Sequence, residues 1–426
     1  MTRTATPGLS ATFLFLTIIG LLVLSSPVAL ANGTSSASVN FDPANTVSCV
    51  DSYTVTTLTD AGAGSLRQTL ADIGTSSCPG QFTVTFAVSG TVNLASTLTA
   101  PSKDVLILGP STTTTGIPLN GGASASNYSI VSVPGSATLD VRYLAFTNGR
   151  TTNGGAVSLG GGTLRLAYCY LYGNSATSFG GAIYQGSGSF TITNTTFASN
   201  TAISNSGALH KGSTDPGLID NCTFSGNVGR SGGAIEASTG SLTISNSTFT
   251  QNQAVGIAGS PGDGAGGAIF GGNGTNTVTI NNCLIADNTT LGTGPDLKSG
   301  FGSTTGYNLI GDTGGGAAIG GVTTGNITNV SATAVLFSTL ASNGGATPTH
   351  ALLIISVAYN AGPPTSTATD QRGLAVFGGR RDIGAFESQV SPPCGPVVHV
   401  TESGSGLQDG RTAAVGPTSI RKRPSR

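Results

Sequence analysis

His210 and Glu236 are the residues whose types and spacing come nearest to acid–base chemistry. They stand 26 residues apart, which is one period of the internal repeat described below, so they should be neighbours on adjacent turns of the chain. A histidine beside a carboxylate can pass a proton to and from a glycosidic oxygen. Lys211 and Arg230 could add positive charge near the same spot. Cleavage of a polysaccharide, however, uses two facing carboxylates, or carboxylates that hold Ca²⁺ beside a basic residue. Between residues 148 and 288 the acidic side chains are Asp215, Asp220, Glu236, Asp263 and Asp287. No two of them occupy equivalent positions in neighbouring repeats. The expectation is therefore a non-catalytic protein, with His210 and Glu236 as the best candidates should an activity exist. The competing reading of that pair is an exposed contact of unlike groups that contributes little.

The repeat that would position these groups is plain. Gly154-Gly-Ala-Val157, Gly180-Gly-Ala-Ile183, Ser206-Gly-Ala-Leu209, Gly232-Gly-Ala-Ile235 and Gly266-Gly-Ala-Ile269 each open a unit, and Leu171-Tyr-Gly-Asn174, Phe197-Ala-Ser-Asn200, Phe224-Ser-Gly-Asn227, Phe249-Thr-Gln-Asn252 and Ile285-Ala-Asp-Asn288 each close one. A fixed period of this length marks a solenoid. The units are rich in Gly, Ser, Thr and Asn, with short alternating runs such as Phe190-Thr-Ile-Thr193, which selects strands over helices. Alignment places Leu166, Ile192, Ile219, Ile244 and Ile280 in one inward column. Leu171, Phe197, Phe224, Phe249 and Ile285 form a second, and the aliphatics after Gly-Ala a third. Three columns predict an all-β parallel β-helix with three short strands per coil. Asn194, Asn221, Asn246 and Asn282 fall in one column, read as a stacked internal amide ladder. Ser158, Tyr184, His210, Glu236 and Phe270 form an outward column.

The wider composition agrees. Of 426 residues 65 are Gly, and only 8% are charged against roughly 25% in ordinary globular chains. A net charge of −1 leaves no footprint for nucleic acid. Residues 1–31 read as a signal peptide, with an apolar run followed by Ala29-Leu-Ala31. Residues 32–80 read as an N-terminal segment and cap, in which Ser65-Leu-Arg-Gln68 is a capping box starting one short helix that stops at Gly74. Irregular coils are expected over 81–147, regular repeats over 148–290, further coils with a second cap over 291–387, and a disordered tail over 388–426. No later apolar run reaches the ~20 residues of a membrane span. Neither a cofactor nor a metal is called for. The insertion at 253–265 carries Asp263 but lacks a Ca²⁺-binding pattern. Outward Thr positions are interrupted by Arg165, Leu218 and Asp220, which argues against an ice-binding lattice.

Six cysteines in an exported chain suggest disulfides. Cys169, Cys222 and Cys283 share a column but alternate with Thr195 and Ser247, so they sit about 10 Å apart, beyond the ~7 Å that a disulfide spans. Cys49 and Cys78 are the expected pair, and Cys394 is left over.

The paired Gly-Gly-Ala-Ile and Phe-X-X-Asn elements resemble the repeats of chlamydial polymorphic outer membrane proteins. Thr54-Val-Thr-Thr-Leu-Thr-Asp-Ala-Gly-Ala-Gly-Ser-Leu-Arg-Gln68 resembles the N-terminal element of bacterial surface proteins with right-handed parallel β-helices, which implies a right-handed coil here. Gly306-Tyr-Asn-Leu-Ile-Gly311, Thr347-Pro-Thr-His-Ala-Leu352, Asn360-Ala-Gly362, Asp370-Gln-Arg-Gly373 and Asp382-Ile-Gly-Ala-Phe-Glu387 resemble their "choice-of-anchor" closing domain. The resemblance implies an exported surface or secreted module, structural or adhesive, whose partner is an extracellular glycan or cell-surface component. The alternative expectation is a carbohydrate-active β-helix, either a polysaccharide lyase or a hydrolase.

Overall fold

The computed structural model describes residues 51–390 apart from 112–115, 123–126, 257–263, 273–276, 299–300, 305, 313–323, 331–334, 336–338, 354 and 365–367, together with a strand pair at 40–41 and 47–48. The signal segment, Cys49, Asp263, Cys394 and the tail from residue 391 lie outside the described residues.

Short alternating runs become strands, and the repeat stacks them in parallel. Among the described residues they form sheets of 16, 10 and 6 strands. One coil runs through Val157–Ala167, Tyr170–Tyr172 and Ser175–Phe179, and pairs in register with Ile183–Thr193, Thr196–Ala198 and Thr201–Ala202 of the next. The three expected columns are realised. Leu166, Ile192, Ile219, Ile244 and Ile280 are successive register partners, as are Leu171, Phe197, Phe224, Phe249 and Ile285. All are at most 1% exposed, and burying each contributes about 1.5–3 kcal/mol relative to leaving it in water. The rings of Phe197, Phe224 and Phe249 stack at 4.5 Å. Burial of stacked identical side chains is what fixes the register, because a slip of one residue would turn each column outward.

The asparagine ladder forms in a different column from the expected one. Asn194, Asn221, Asn246 and Asn282 stand at the corner between the first and second sheets with φ near +50°. Asparagine is among the few residues that adopt this left-handed conformation readily. The continuous internal ladder is instead built by the last residue of each Phe-X-X-Asn unit. Asn174, Asn200, Asn227 and Asn252 are fully buried, and each side-chain Nδ2 donates to the Oδ1 of the next at 2.8–3.0 Å. Asn288 continues the chain onto Asp296 Oδ1 at 2.8 Å. The corner asparagines point out of the barrel, so only one rung forms among them, Asn282 to Asn246.

The expected helix is present at Leu66–Thr75, with Ser65 as its N-cap accepting from the Gln68 amide. Only half of the capping box forms, since the Gln68 side chain donates to Asp72 rather than back to Ser65. Leu66, Leu70 and Ile73 join the same apolar core as Val84, Ile107 and Leu119. Cys169, Cys222 and Cys283 are free and buried. Thr195 Oγ1 and Ser247 Oγ accept from the amides of Cys169 and Cys222, which confirms the alternation. The Cys49–Cys78 pairing involves a residue outside the described set.

The described part of the closing segment, from 341 to 390, lies along the side of the solenoid rather than over its end. It covers the outer face of the second sheet. Leu352, Ala358 and Ile383 pack against Leu284, Ala286 and Leu309 as a second apolar cluster. Polar groups do the rest: Asn194 Nδ2 donates to the carbonyls of Asp370 and Gln371, Arg381 donates to Asn221 Oδ1, and His350 Nε2 meets Ser225 Oγ at 2.9 Å. Outward Thr, Ser and Asn side chains on successive coils thus serve as a docking strip. Strand alternation places them outward but does not say what they will meet.

Candidate functional site

His210 and Glu236 are direct register partners on adjacent strands, Leu209–Lys211 and Ile235–Ala237. The expected column is intact, running Ser158, Tyr184, His210, Glu236, Phe270. The expected exposure is not. Both residues are only 6% exposed. The Phe179 ring lies 4.6 Å from the His210 ring, and the Tyr184 ring stacks over it at 5.7 Å. Asn205, before one Gly-Ala turn, and Ser238, two residues after Glu236, hold the carboxylate, with Asn205 Nδ2 and Ser238 Oγ both donating to Glu236 Oε1 at 3.2 Å.

His210 Nδ1 and Glu236 Oε2 face each other at 3.9 Å, too far for a hydrogen bond. Neither atom has a hydrogen-bond partner among the described residues. Burial pushes the Glu236 carboxyl up to about 7 and the His210 imidazole down to about 4. Each shift disfavours the charged form. Near neutral pH the histidine is therefore neutral and the glutamic acid about half protonated, so the contact is far from a full ion pair. A carboxyl poised near 7 has the proton affinity of a general acid, yet a substrate would have to displace the Phe179 and Tyr184 rings to reach it.

Lys211 does not join this pair. It follows His210 in a strand, so it points to the opposite face and into the solenoid, where it is register partner to Gln185 and Ala237. Fully buried, its ammonium donates to the carbonyls of Ser213 and Thr239 at 2.6 and 2.8 Å, and burial holds it down to about 8. Strand alternation alone would have placed it inside.

A second acidic site was not anticipated. Asp287, Asp296 and Asp312 line a cavity of about 630 Å³ beside Asn288, Thr289 and Asn329. Asp296 is buried and its carboxyl is pushed up to about 6 by that burial. It is also fully engaged, accepting from the Asn288 amide and side chain and from the Asp312 amide. It terminates the asparagine ladder, where a group that only accepts is suited. Asp296 and Asp312 follow the loss of the regular period, so column alignment could not bring them together. Among the described residues no cluster of three or more His, Cys, Asp and Glu has the arrangement of a metal site.

Fold and site together define a right-handed parallel β-helix. A family model described as a right-handed β-helix region matches residues 128–334, which takes in all of the regular repeats. No curated protein matches the chain significantly.

Proposed function

We propose that the chain is an exported, right-handed β-helical module, retained at the cell surface or secreted, with a structural or adhesive role and no catalysis. The observation that supports this most directly is the closure of the His210–Glu236 pair beneath Phe179 and Tyr184. A polysaccharide needs an open groove with two carboxyl groups roughly 5–10 Å apart across the bond to be cut. A rigid column of in-register coils instead offers a long outer surface for contact with an extracellular glycan or cell-surface component. The signal-like residues 1–31 carry the export part of this reading, and the bridge Cys49–Cys78 belongs with it.

The second reading, a polysaccharide lyase or hydrolase, has one specific observation behind it, the Glu236 carboxyl lifted to about 7 one coil from a histidine. Incubation of the mature chain with pectic, other acidic and neutral polysaccharides, with and without Ca²⁺, separates the two. The adhesive reading expects retention on a glycan array and neither new reducing ends nor unsaturated uronates. Product that appears with the native chain and vanishes in Glu236→Gln would replace it with the enzyme.

A further inference from the structure

The outer face of the second sheet is divided in two. From Thr196 onward it lies beneath the 341–390 segment, where Thr196 donates to the Pro348 carbonyl and Thr347 to the Asn194 carbonyl. One coil earlier the positions paired with Thr196 and Ala198 are Tyr170 and Tyr172. The corner position of Asn194 is there Tyr168, preceded by Tyr143 another coil back. Tyr168, Tyr170 and Tyr172 are thus one strand spacing, about 4.8 Å, and Tyr143 two, from the first coil that the closing segment touches.

The four side chains form two stacks. Tyr143 and Tyr168 lie 4.8 Å apart with planes 3° from parallel, and Tyr170 and Tyr172 lie 4.6 Å apart. All four are half-buried, and none of the four hydroxyls bonds a described residue. Tyr143 and Tyr168 have φ of +57° and +55°, a conformation disfavoured for bulky side chains by roughly 1 kcal/mol. Neither ring enters the core in exchange. Arg142 directly precedes Tyr143, and Arg165 lies three residues before Tyr168 on the same coil. Asp140 is held by Arg142 through two hydrogen bonds, and its register partner on the next coil is the exposed Arg165. That carboxylate is committed to Arg142, and no ion pair joins it to Arg165.

We propose that Tyr143, Tyr168, Tyr170 and Tyr172 form a binding ledge for an acidic oligosaccharide. The C–H surfaces of the sugar rings pack on the tyrosines, its hydroxyls meet the phenol oxygens, and a uronate carboxylate is taken by Arg165. This rests on the adhesive reading above and gives that reading a place and a ligand class.

The test is titration of the full chain with a panel of galacturonate, glucuronate and mannuronate oligosaccharides and their carboxyl-reduced counterparts. The chain has no tryptophan, so tyrosine emission reports binding directly. Tyr170→Ala/Tyr172→Ala should weaken binding by about tenfold or more. Arg165→Gln should weaken the acidic ligands and leave the reduced ones unchanged. If the native chain takes up no member of the panel, the glycan reading falls together with the ledge. If it binds and the double variant binds equally well, the ledge alone falls. Should the alanine variant melt early, Tyr170→Phe/Tyr172→Phe replaces it; affinity equal to the native chain there, together with unchanged binding by Arg165→Gln, overturns the ledge.

Discussion

Gln371 and Thr196 lie 175 residues apart in sequence, and the amide of the one donates to the hydroxyl of the other at 2.7 Å. The same side chain accepts from Thr223 Oγ1 at 2.6 Å and donates to Thr347 Oγ1 at 2.8 Å. Thr196 and Thr223 are register partners on successive coils, so one amide fastens the closing segment to two rungs of the solenoid. Gln371→Ala leaves buried hydroxyls short of partners and should cost about 2–3 kcal/mol. Chemical denaturation is the measurement; an unchanged midpoint would mean that the lateral segment does not stabilise the coils.

The ladder makes a sharper contrast. Asn227 donates to the Phe197 carbonyl and to Asn252, and accepts from the Asn200 amide and side chain. Asn227→Gly removes all four bonds from a buried site and should cost on the order of 3 kcal/mol or more. Asn246→Gly should be mild, because its corner backbone with φ +50° suits glycine and its side chain reaches only Asp220 and Asn282. Equal melting temperatures for the two variants would overturn this assignment of roles.

That contrast also marks how far the sequence could be read. Column alignment placed Ile192 over Ile219 and Phe197 over Phe224 correctly, because apolar burial is periodic and every coil must satisfy it alone. It chose Asn194 over Asn200 for the ladder, since both columns recur with the same period and only backbone φ separates a corner from an interior position. The His210–Glu236 adjacency was legible, whereas its burial was not, because Phe179, at the end of the strand Ser175–Phe179, and Asn205, before the next Gly-Ala turn, belong to other columns of the repeat. Docking of Gln371 on Thr196 was invisible for a related reason. Contacts between non-repeating and repeating parts leave no periodic trace.

Alternation itself is tested by Ile244 and Thr243, adjacent residues of the strand Ser241–Ser245. Ile244 is fully buried, Thr243 half-buried and outward. Ile244→Asp places an unpaired carboxylate in the core and should unfold the repeats or cost at least about 4 kcal/mol. Thr243→Asp should stay within about 1 kcal/mol of the parent. Similar loss in both would invert the two faces.

Thiol chemistry gives a further measurement. Burial pushes the Cys169 and Cys283 thiols up to about 12, and the Cys222 thiol up likewise, so none presents a thiolate for alkylation at neutral pH. Iodoacetamide should label these three only after denaturation. Peptide mapping should find Cys49 joined to Cys78, and a bridge that includes Cys169, Cys222 or Cys283 would contradict the alternating register.

The pH dependence of stability follows from the buried acids. Glu236 and Glu387 are raised to about 7, Asp296 and Asp382 to about 6, each chiefly by burial. Between their unfolded values near 4 and these folded values, the native state binds more protons than the unfolded chain, so stability falls as pH rises through that window. His210 opposes them: lowered to about 4, it binds fewer protons when folded, and stability rises from about pH 4 to its unfolded value near 6.5. Four groups against one leaves a net fall from about pH 5 to pH 7. The melting temperature should therefore be higher at pH 5 than at pH 7.5. Glu236→Gln removes one falling contribution, keeps the bond from Asn205 or Ser238 to its remaining oxygen, and should raise the melting temperature at pH 7.5 more than at pH 5. Calorimetric scans at the two pH values check both statements, and a native chain that melts higher at pH 7.5 would show that these carboxyls are charged and solvated in the folded protein.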